Sequence, residues 1–222
     1  MQSAGNDIIA LGMINKQRSN DSRFYTKILS ASEQELYHAR AFAQMPFEHF
    51  VWLLWSIKES AYKYLKRGSS GLLFSPTKII IQHINFPAEQ EVNSFKDAQW
   101  QGCASGECCY SGNFIFGSAA FYFRSKMHHE LIATVVSEDE NFEHTWWGIQ
   151  AIEQADAAHQ SKTVRMFLLN KLNNLFPGKD LRIEETTAGY PVIFEGDHQL
   201  KLPVSIAHHG HYVAYSFLSG SI

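Results

Sequence analysis

Apolar side chains recur at helical spacing over residues 46–66, and no glycine interrupts them before Gly68. This pattern predicts one long helix. A second helix is predicted over residues 162–175, just before a Phe-Pro-Gly sequence that ends it. A shorter helix is predicted over residues 30–43, because Ser30 to Glu33 has the Ser-x-x-Glu form of a capping box.

Short apolar segments between polar turns predict β-strands in the rest of the chain. The predicted strands cover residues 8–14, 78–84, 114–124, 131–136, 181–186, 192–194, 202–206 and 212–218. Both parts of the chain therefore combine a helix with antiparallel strands, which predicts an α+β fold with a duplicated unit. The first half is predicted to cover residues 1–137 and the second residues 161–222. Residues 138–160 are acidic and polar, and we predict that they form a linker.

Composition narrows the class of protein. The 222 residues are 45% hydrophobic and 18% charged, which is typical of a globular protein. A net charge of -3 argues against a general nucleic-acid binder. The sequence shows neither an apolar run of about 20 residues nor a secretory leader, so we expect no membrane association. Cys103, Cys108 and Cys109 are an odd number and lie close together, which favours a reducing compartment and a cytoplasmic location.

Glu59 and Lys63 lie four residues apart on the long predicted helix, so their side chains share one face. A solvated ion pair is the commonest meaning of this spacing. Three bulky aromatic residues surround the pair, where a solvated face would carry more charge. We therefore interpret the pair as part of a site at the edge of an apolar wall, with the carboxylate on a metal ion and the ammonium on a phosphate oxygen.

Three histidines, His208, His209 and His211, lie on a predicted turn between two apolar strands. They are compatible with an exposed polar turn, with a metal cluster that draws further ligands from elsewhere, or with a hydrogen bond from His208 to a phosphate.

Several separate segments together resemble the motifs of the 4'-phosphopantetheinyl transferases. The family shows Gly-x-Asp-Ile, then Phe followed by Ser/Thr-x-x-Glu, then Trp-x-x-Lys-Glu-Ala/Ser-x-x-Lys, and finally Ser-Ile-Ser-His. The matching segments here are Gly5 to Ile9, Phe24-Tyr25 with Ser30 to Glu33, Trp55 to Lys63, and Ser205 to His208. The third motif is quite specific, and the combination at compatible spacing carries the resemblance.

The order of the motifs suggests how the halves are arranged. The short, trimeric holo-acyl-carrier-protein synthases carry the Asp motif first and the Ser-His motif last, as here. The duplicated single-chain members have this chain's length but the opposite order. Three later segments look like the first half of the duplicated members, moved to the end of this chain. They are Lys162-Thr163, the turn from Thr187 to Pro191, and Ser205 to His208. The resemblance thus implies a monomeric pseudo-dimer with permuted halves and an active site in the cleft between them.

The resemblance implies a magnesium-dependent transfer of phosphopantetheine from coenzyme A to a serine of an apo acyl or peptidyl carrier protein, with release of adenosine 3',5'-bisphosphate. Asp7 and Glu59 match the magnesium ligands, and oxygen ligands are what this ion requires. Lys63 would neutralise the phosphate and the leaving group. Glu59 would also help to remove the serine proton. Glu33 matches a residue near the family's site, although its capping-box role suffices to explain it.

The coenzyme A side of the site departs from the family pattern. His208 would bind the diphosphate, Lys162 would bind the 3'-phosphate region, and Tyr190 would lie near the nucleotide. Ile9 stands where duplicated members often have a third acidic metal ligand, which water would replace. Ala207 replaces the serine before the histidine, and Tyr190 replaces the lysine of Gly-Lys-Pro. The last two changes remove a hydroxyl and a charge from the predicted coenzyme A site.

A basic run near the amino terminus suggests where an acidic carrier protein would dock. It contains Lys16, Arg18, Arg23 and Lys27, and we predict that Arg18 and Arg23 contact the carrier. Two other classes of function stay open from the sequence. One is a non-catalytic paralogue that binds coenzyme A or a carrier protein. The other is a metallohydrolase built on the histidine cluster. The sequence does not indicate a fatty-acid, polyketide or nonribosomal-peptide carrier.

Overall fold

The computed structural model describes residues 3–39, 42–69, 71–87 and 109–220, and the backbone of residues 99–103. The helices are α1 (Lys16–Ser19), α2 (Ser22–Tyr25), α3 (Ala31–Tyr37), α4 (Phe47–Lys66) and α5 (Ala157–Leu175). Short 3₁₀ turns cover Leu11–Met13 and Pro76–Lys78. The strands are β1 (Gly5–Ala10), β2 (Ile80–Asn85), β3 (Gln99–Cys103), β4 (Tyr110–Phe116), β5 (Ala119–Met127), β6 (Leu131–Ser137), β7 (Thr145–Ala151), β8 (Leu181–Glu185), β9 (Pro191–Glu195), β10 (His198–Gln199), β11 (Val204–His209) and β12 (Tyr212–Leu218).

Among the described residues, all strand pairs are antiparallel, and they form three sheets. The first sheet has the order β1-β6-β5-β4-β2, the second β11-β12-β7-β3, and the third β10-β9-β8. The α+β class predicted from the sequence is confirmed. In the described part of the chain, no helix is long and apolar enough to cross a membrane.

Helix α4 packs on the first sheet through a continuous apolar face. Its fully buried residues include Phe50, Leu53, Leu54 and Ile57, which join the largest hydrophobic cluster. The helix approaches β1 so closely that a Cβ atom on Gly5 would lie 2.2 Å from the carbonyl oxygen of Ser60. The glycine of the first motif is therefore required by packing, because any side chain there would push β1 away from α4.

The second half of the chain has its own core, and a third cluster joins the two sheets. Helix α5 buries Val164, Phe167, Leu168 and Leu172 against β8, β11 and β12. Between the two large sheets, residues of β1 and β6 contact residues of β7, β11 and β12; they include Ile8, Val135, Trp147, Ala207 and Ala214. This contact places β1 beside β11, so residues about 200 positions apart in sequence become neighbours.

The predicted linker at residues 138–160 contains β7 and the start of α5 instead. Strand β7 lies between β12 and β3, and its Trp147 is only 1% exposed. Gly148 lets the Tyr215 ring lie against the β7 backbone, since a Cβ atom there would be 2.6 Å from the ring. The polar residues that suggested a linker lie mainly outside the strand. Strand β7 is buried because β12 and β3, which are distant in sequence, pair with it.

Several predicted boundaries also differ from the observed ones. Residues 114–124 form a hairpin, not one strand, because Gly117 adopts a φ of 63° at the turn between β4 and β5. Helix α3 ends at Tyr37 instead of residue 43. Helix α5 begins at Ala157, five residues before the predicted start, where the Asp156 side chain caps the His159 amide at 2.9 Å. The predicted strand at residues 8–14 is β1 at Gly5–Ala10 followed by a 3₁₀ turn.

Candidate active site

An open cleft of about 530 Å³ lies where β1 and α4 face β11 and α5. The first half contributes Asp7, Glu59 and Lys63 to its lining, and the second contributes Arg165 and His208. Four of the residues singled out in the sequence, Asp7, Glu59, Lys63 and His208, thus come together on one surface. The indole of Trp52, which also lines the cleft, donates a hydrogen bond to Ser19 of α1 at 2.8 Å.

Asp7 lies inside β1, with 7% of its surface exposed. Its Oδ1 accepts a hydrogen bond from Lys63 Nζ at 3.1 Å. Its Oδ2 is buried and has no hydrogen-bond partner among the described residues. An ionised oxygen left in this state is costly unless a cation or a donor reaches it. The ion pair that the helix spacing suggested for Lys63 with Glu59 is thus made with Asp7.

Glu59 lies one turn before Lys63 on the same cleft wall and is half-buried. Burial raises the pKa of its carboxyl group, the Lys63 ammonium partly opposes this, and the charge of Asp7 raises the pKa further. Two carboxylates therefore face one ammonium in a partly desolvated cleft. Such an oxygen-rich set, with an orphaned oxygen on Asp7, fits a hard divalent cation such as Mg²⁺. Asp7 and Glu59 are the residues that would hold this ion.

The histidines of the closing strand point to different places. His208 faces the cleft, and burial, together with the positive charges of Lys63 and Arg165, lowers its pKa. His209 accepts a hydrogen bond from the Ala10 amide through Nδ1 at 2.9 Å, which ties β11 to β1. His211 lies near the Ile152 carbonyl. Among residues with described positions, these three do not gather their ligand atoms, so the structure gives no support to a metal cluster here.

A model of the 4'-phosphopantetheinyl transferase superfamily matches residues 3–115, just over half of the 222 residues. The chain belongs to this superfamily. The matched region includes Asp7, Glu59 and Lys63, whereas His208 lies outside it. No individual curated protein and no solved structure matches the chain significantly. Members of the superfamily are enzymes that transfer phosphopantetheinyl groups.

A second compartment of about 260 Å³ continues from the cleft of this transferase-superfamily chain. Tyr190 lines it, at the position where the family pattern has lysine, together with Lys66 and Arg67. The Arg67 guanidinium lies 4.7 Å from the centroid of the Tyr190 ring. Burial lowers the pKa of Arg67 to about 10, so the side chain stays protonated at neutral pH. Arg67 thus supplies a positive charge beside Tyr190, where the sequence pattern indicated that one was lost.

Arg67 also connects the two halves of the chain. Its guanidinium donates hydrogen bonds to the carbonyl of Pro191, at 3.1 Å, and to that of Val204. Nearby, the Asn6 amide donates to the Ser205 hydroxyl at 3.3 Å. The serine of the last motif therefore joins β11 to β1, and sequence reasoning missed both links because their partners lie more than 120 positions away.

Lys162, predicted to lie near the nucleotide, is exposed on α5. The α5 residues that line the cleft are Ser161 and Arg165. Arg165 forms a 3.0 Å ion pair with Glu185 and donates hydrogen bonds to Ser161. The helical spacing from Val164 to Leu172 could have shown that positions 161 and 165 share one face, next to the buried stripe.

Glu33 has a structural role in the fold. It is fully buried, and its Oε2 accepts hydrogen bonds from the Ser30 amide at 2.7 Å and from Lys58 Nζ at 2.6 Å. Its Oε1 accepts from the Ile81 amide at 2.9 Å. Lys58, also fully buried, donates to the Ile28 carbonyl at 2.7 Å. The predicted capping box is confirmed. Lys58, the residue before Glu59, bonds to Glu33 and so holds α4 against the start of α3.

The raised pKa of Glu59 predicts that this residue destabilises the metal-free protein. The folded protein binds more protons than the unfolded chain between pH 4.5 and the raised folded-state pKa, so stability falls as the pH rises through that interval. At pH 7.5 without divalent cations, we expect Glu59→Gln to increase the free energy of unfolding by about 1 kcal/mol. Urea denaturation measures this change.

Magnesium provides the second half of that test. Adding Mg²⁺ should raise the melting temperature of the wild type but leave Glu59→Gln unchanged, because a ligand that binds only the folded state stabilises it. Glu48→Gln, on the same helix, removes a carboxylate that pairs with Lys16 at 3.6 Å and should keep the magnesium response. Equal magnesium stabilisation of both variants would contradict the assignment of Glu59 as a ligand.

Proposed function

We propose that this chain transfers the 4'-phosphopantetheine arm of coenzyme A to a serine of an apo acyl or peptidyl carrier protein. The serine oxygen forms a bond to the β-phosphorus of coenzyme A, the bond from that phosphorus to the bridging oxygen breaks, and adenosine 3',5'-bisphosphate leaves. The observation that carries the proposal is the convergence of Asp7, Glu59, Lys63 and His208 on one cleft. Superfamily membership independently supports the reaction class.

Each side chain of the cleft has a chemical task in this proposal. Lys63, held by Asp7 at 3.1 Å, neutralises charge on the phosphates and on the leaving oxygen. His208, a neighbour of Lys63 and Arg165, donates a hydrogen bond to the diphosphate. Glu59, with its raised pKa, assists removal of the serine proton. Asp7 and Glu59 would hold Mg²⁺, which supplies charge neutralisation for a diphosphate when bound.

The second compartment is where we place the nucleotide end of coenzyme A. Lys66 and Arg67 bring positive charge to it, and Tyr62 and Tyr190 provide aromatic surface. Lys66 Nζ donates to the Tyr62 hydroxyl at 2.8 Å, which keeps the ammonium at the rim. The compartment shares Glu59, Lys63 and other lining residues with the main cleft. A molecule such as coenzyme A would therefore place its nucleotide in the second compartment and its neighbouring diphosphate in the main cleft.

The carrier protein is proposed to dock on α1 and α2. Arg18 and Arg23 are exposed there, with Arg18 stacked 4.7 Å from the Phe24 ring centroid. Arg23 pairs with Asp21 at 2.8 Å. The hydrogen bond from Trp52 to Ser19 fixes this basic surface at the edge of the cleft. An acidic partner held there would present its serine to the cleft.

Charge reversal tests this docking surface. The double variant Arg18→Glu/Arg23→Glu should raise KM for the carrier by about tenfold, which corresponds to about 1.4 kcal/mol, and leave KM for coenzyme A unchanged. Steady-state kinetics with each substrate varied in turn provide the measurement. Arg182→Glu/Lys201→Glu reverses two exposed charges of the second half and should leave both constants unchanged. A carrier KM that is equal in the two double variants would rule out this surface.

Mass spectrometry tests the proposed reaction itself. The protein is incubated with an apo carrier, coenzyme A and Mg²⁺, and the carrier should gain the mass of one phosphopantetheine arm. A carrier whose serine is replaced by alanine is the control and should gain nothing. No gain on any apo carrier that binds the chain would instead favour the non-catalytic binder, in which Ala207 and Tyr190 mark a decayed nucleotide site.

A further inference from the structure

The turn between β5 and β6 contains a second group of metal-ligating side chains, separate from the cleft. It consists of His128, His129 and Glu130, which we call the His-His-Glu turn. One ligand atom from each residue lies within 4.8 Å of the other two, and no other group of three in the described ranges meets this condition. The two imidazole rings are 3.8 Å apart between centroids.

We propose that the His-His-Glu turn binds Zn²⁺ or a similar borderline divalent metal ion. Two imidazole nitrogens and one carboxylate oxygen are the donor set of open zinc sites, and they suit Ni²⁺ and Cu²⁺ as well. Two ligand atoms on one tetrahedral zinc lie about 3–3.5 Å apart. The three donors must therefore close from up to 4.8 Å, and His129 and Glu130 are exposed, so solvent surrounds the side chains that would rotate.

The backbone of this turn is held in place on both sides. The His128 amide donates to the Leu131 carbonyl at 2.9 Å, and the Leu131 amide donates back at 3.3 Å. The Glu130 carbonyl accepts a hydrogen bond from the Leu11 amide at 2.8 Å, just beyond the end of β1. A fixed backbone lowers the conformational entropy lost when the three side chains close on an ion.

Two side-chain details point to a ligand. Glu130 Oε2 accepts a hydrogen bond from the Tyr212 hydroxyl at 3.2 Å, and such a bond to a ligating carboxylate orients it and tunes affinity. His128 Nδ1 is buried and has no hydrogen-bond partner in the part of the chain that the structure describes. A ring nitrogen in this state gains a partner if the ring turns toward an ion.

The His-His-Glu turn is distinct from the magnesium cleft in chemistry and in position. None of its three residues is among those lining the cleft, and its two nitrogens are poor ligands for Mg²⁺. Lys126 adds positive charge near His128, and this charge opposes the binding of a cation. A bound ion would join the turn to β1 through Leu11 and to β12 through Tyr212, across the contact between the two large sheets.

Zinc titration of the tag-free, chelator-treated full-length chain tests the proposal. Calorimetry is carried out with excess Mg²⁺ present, so that hard-ion sites are occupied. We expect one zinc ion per chain, an affinity loss of at least about tenfold in His128→Gln and in His129→Gln, and a loss of about tenfold in Tyr212→Phe. With Cu²⁺ as the probe, electron paramagnetic resonance of the wild type should show coupling to two nitrogens.

Two single-histidine variants serve as controls. His198→Gln removes an exposed histidine of the β9–β10 hairpin, and His208→Gln removes the histidine of the cleft. Both should bind zinc as the wild type does. Zinc binding that is lost in His208→Gln but kept in His128→Gln would overturn the proposal, and so would binding no tighter than that of a single exposed histidine. Because no step depends on coenzyme A, failure here leaves the proposed transferase function untouched.

Discussion

Lys63→Met is expected to lower kcat for carrier modification by about 100- to 1,000-fold, the usual effect of removing one preorganised group that stabilises charge in a transition state. The ammonium of Lys63 lies on the cleft wall and is fixed by Asp7 at 3.1 Å. In the proposed transfer, the ammonium would therefore need no reorganisation when charge develops on the leaving oxygen. Single-turnover kinetics at saturating coenzyme A and carrier measure the chemical step directly.

Lys66→Met is the matched control for this variant. Lys66 lies almost one helical turn further along α4 and is bonded to the Tyr62 hydroxyl at 2.8 Å. Its loss should raise KM for coenzyme A while leaving kcat within about threefold, because an interaction kept in ground and transition state does not change kcat. Equal losses of kcat in both variants would show that Lys63 acts only through the general charge of the cleft.

Glu33→Ala is expected to lower the free energy of unfolding by about 3–5 kcal/mol, which makes it the largest stability effect expected here. The substitution leaves the Lys58 ammonium fully buried without its carboxylate, and it also removes acceptors for the Ser30 and Ile81 amides. Three elements, α3, α4 and β2, lose a common anchor. Urea denaturation at pH 7.5 measures the loss.

Two further variants separate the ion pair from its setting. Glu35→Ala changes an exposed glutamate of the same helix and should alter stability by less than about 0.5 kcal/mol. Glu33→Gln/Lys58→Met removes both charges and keeps most of the volume, so it should recover a large part of the loss. A Glu33→Ala variant within about 1 kcal/mol of the wild type would contradict this account of the buried pair.

The motif residues were predictable because their local requirements are visible in the sequence. The capping box at Ser30 and Glu33 and the long helix α4 follow from short-range patterns. Gly5, Asp7, Glu59 and Lys63 were identified by their resemblance to family motifs. The structure adds the physical reason for the glycine, because a Cβ atom at position 5 would lie 2.2 Å from the carbonyl oxygen of Ser60.

Partners distant in sequence decided the features that the patterns missed. Tyr190 alone suggested a lost positive charge, but Arg67 from the end of α4 lies against its ring. Lys162 was placed near the nucleotide by the resemblance of Lys162-Thr163 to the duplicated family members, yet the rotation of α5 brings Arg165 to the cleft instead. The segment before α5 was predicted to be a linker because its sequence is largely polar. Its β7 is a central strand, and this is visible only once β12 and β3 pair with it on either side.

The sequence by itself determined the α+β class, the long motif helix, the capping box and the grouping of Asp7, Glu59, Lys63 and His208 in one proposed site. It could do so because each depends on spacing along the chain or on motif resemblance. Only the tertiary structure decided that Lys63 pairs with Asp7, that Arg165 of the second half lines the cleft while Arg67 of the first half lies against Tyr190, and that His128, His129 and Glu130 form a separate group. The first two features depend on how distant segments pack, and the packing of residues far apart in the chain leaves no local pattern. The three residues of the turn are consecutive in the sequence, but only the structure shows that their ligand atoms lie within 4.8 Å of one another.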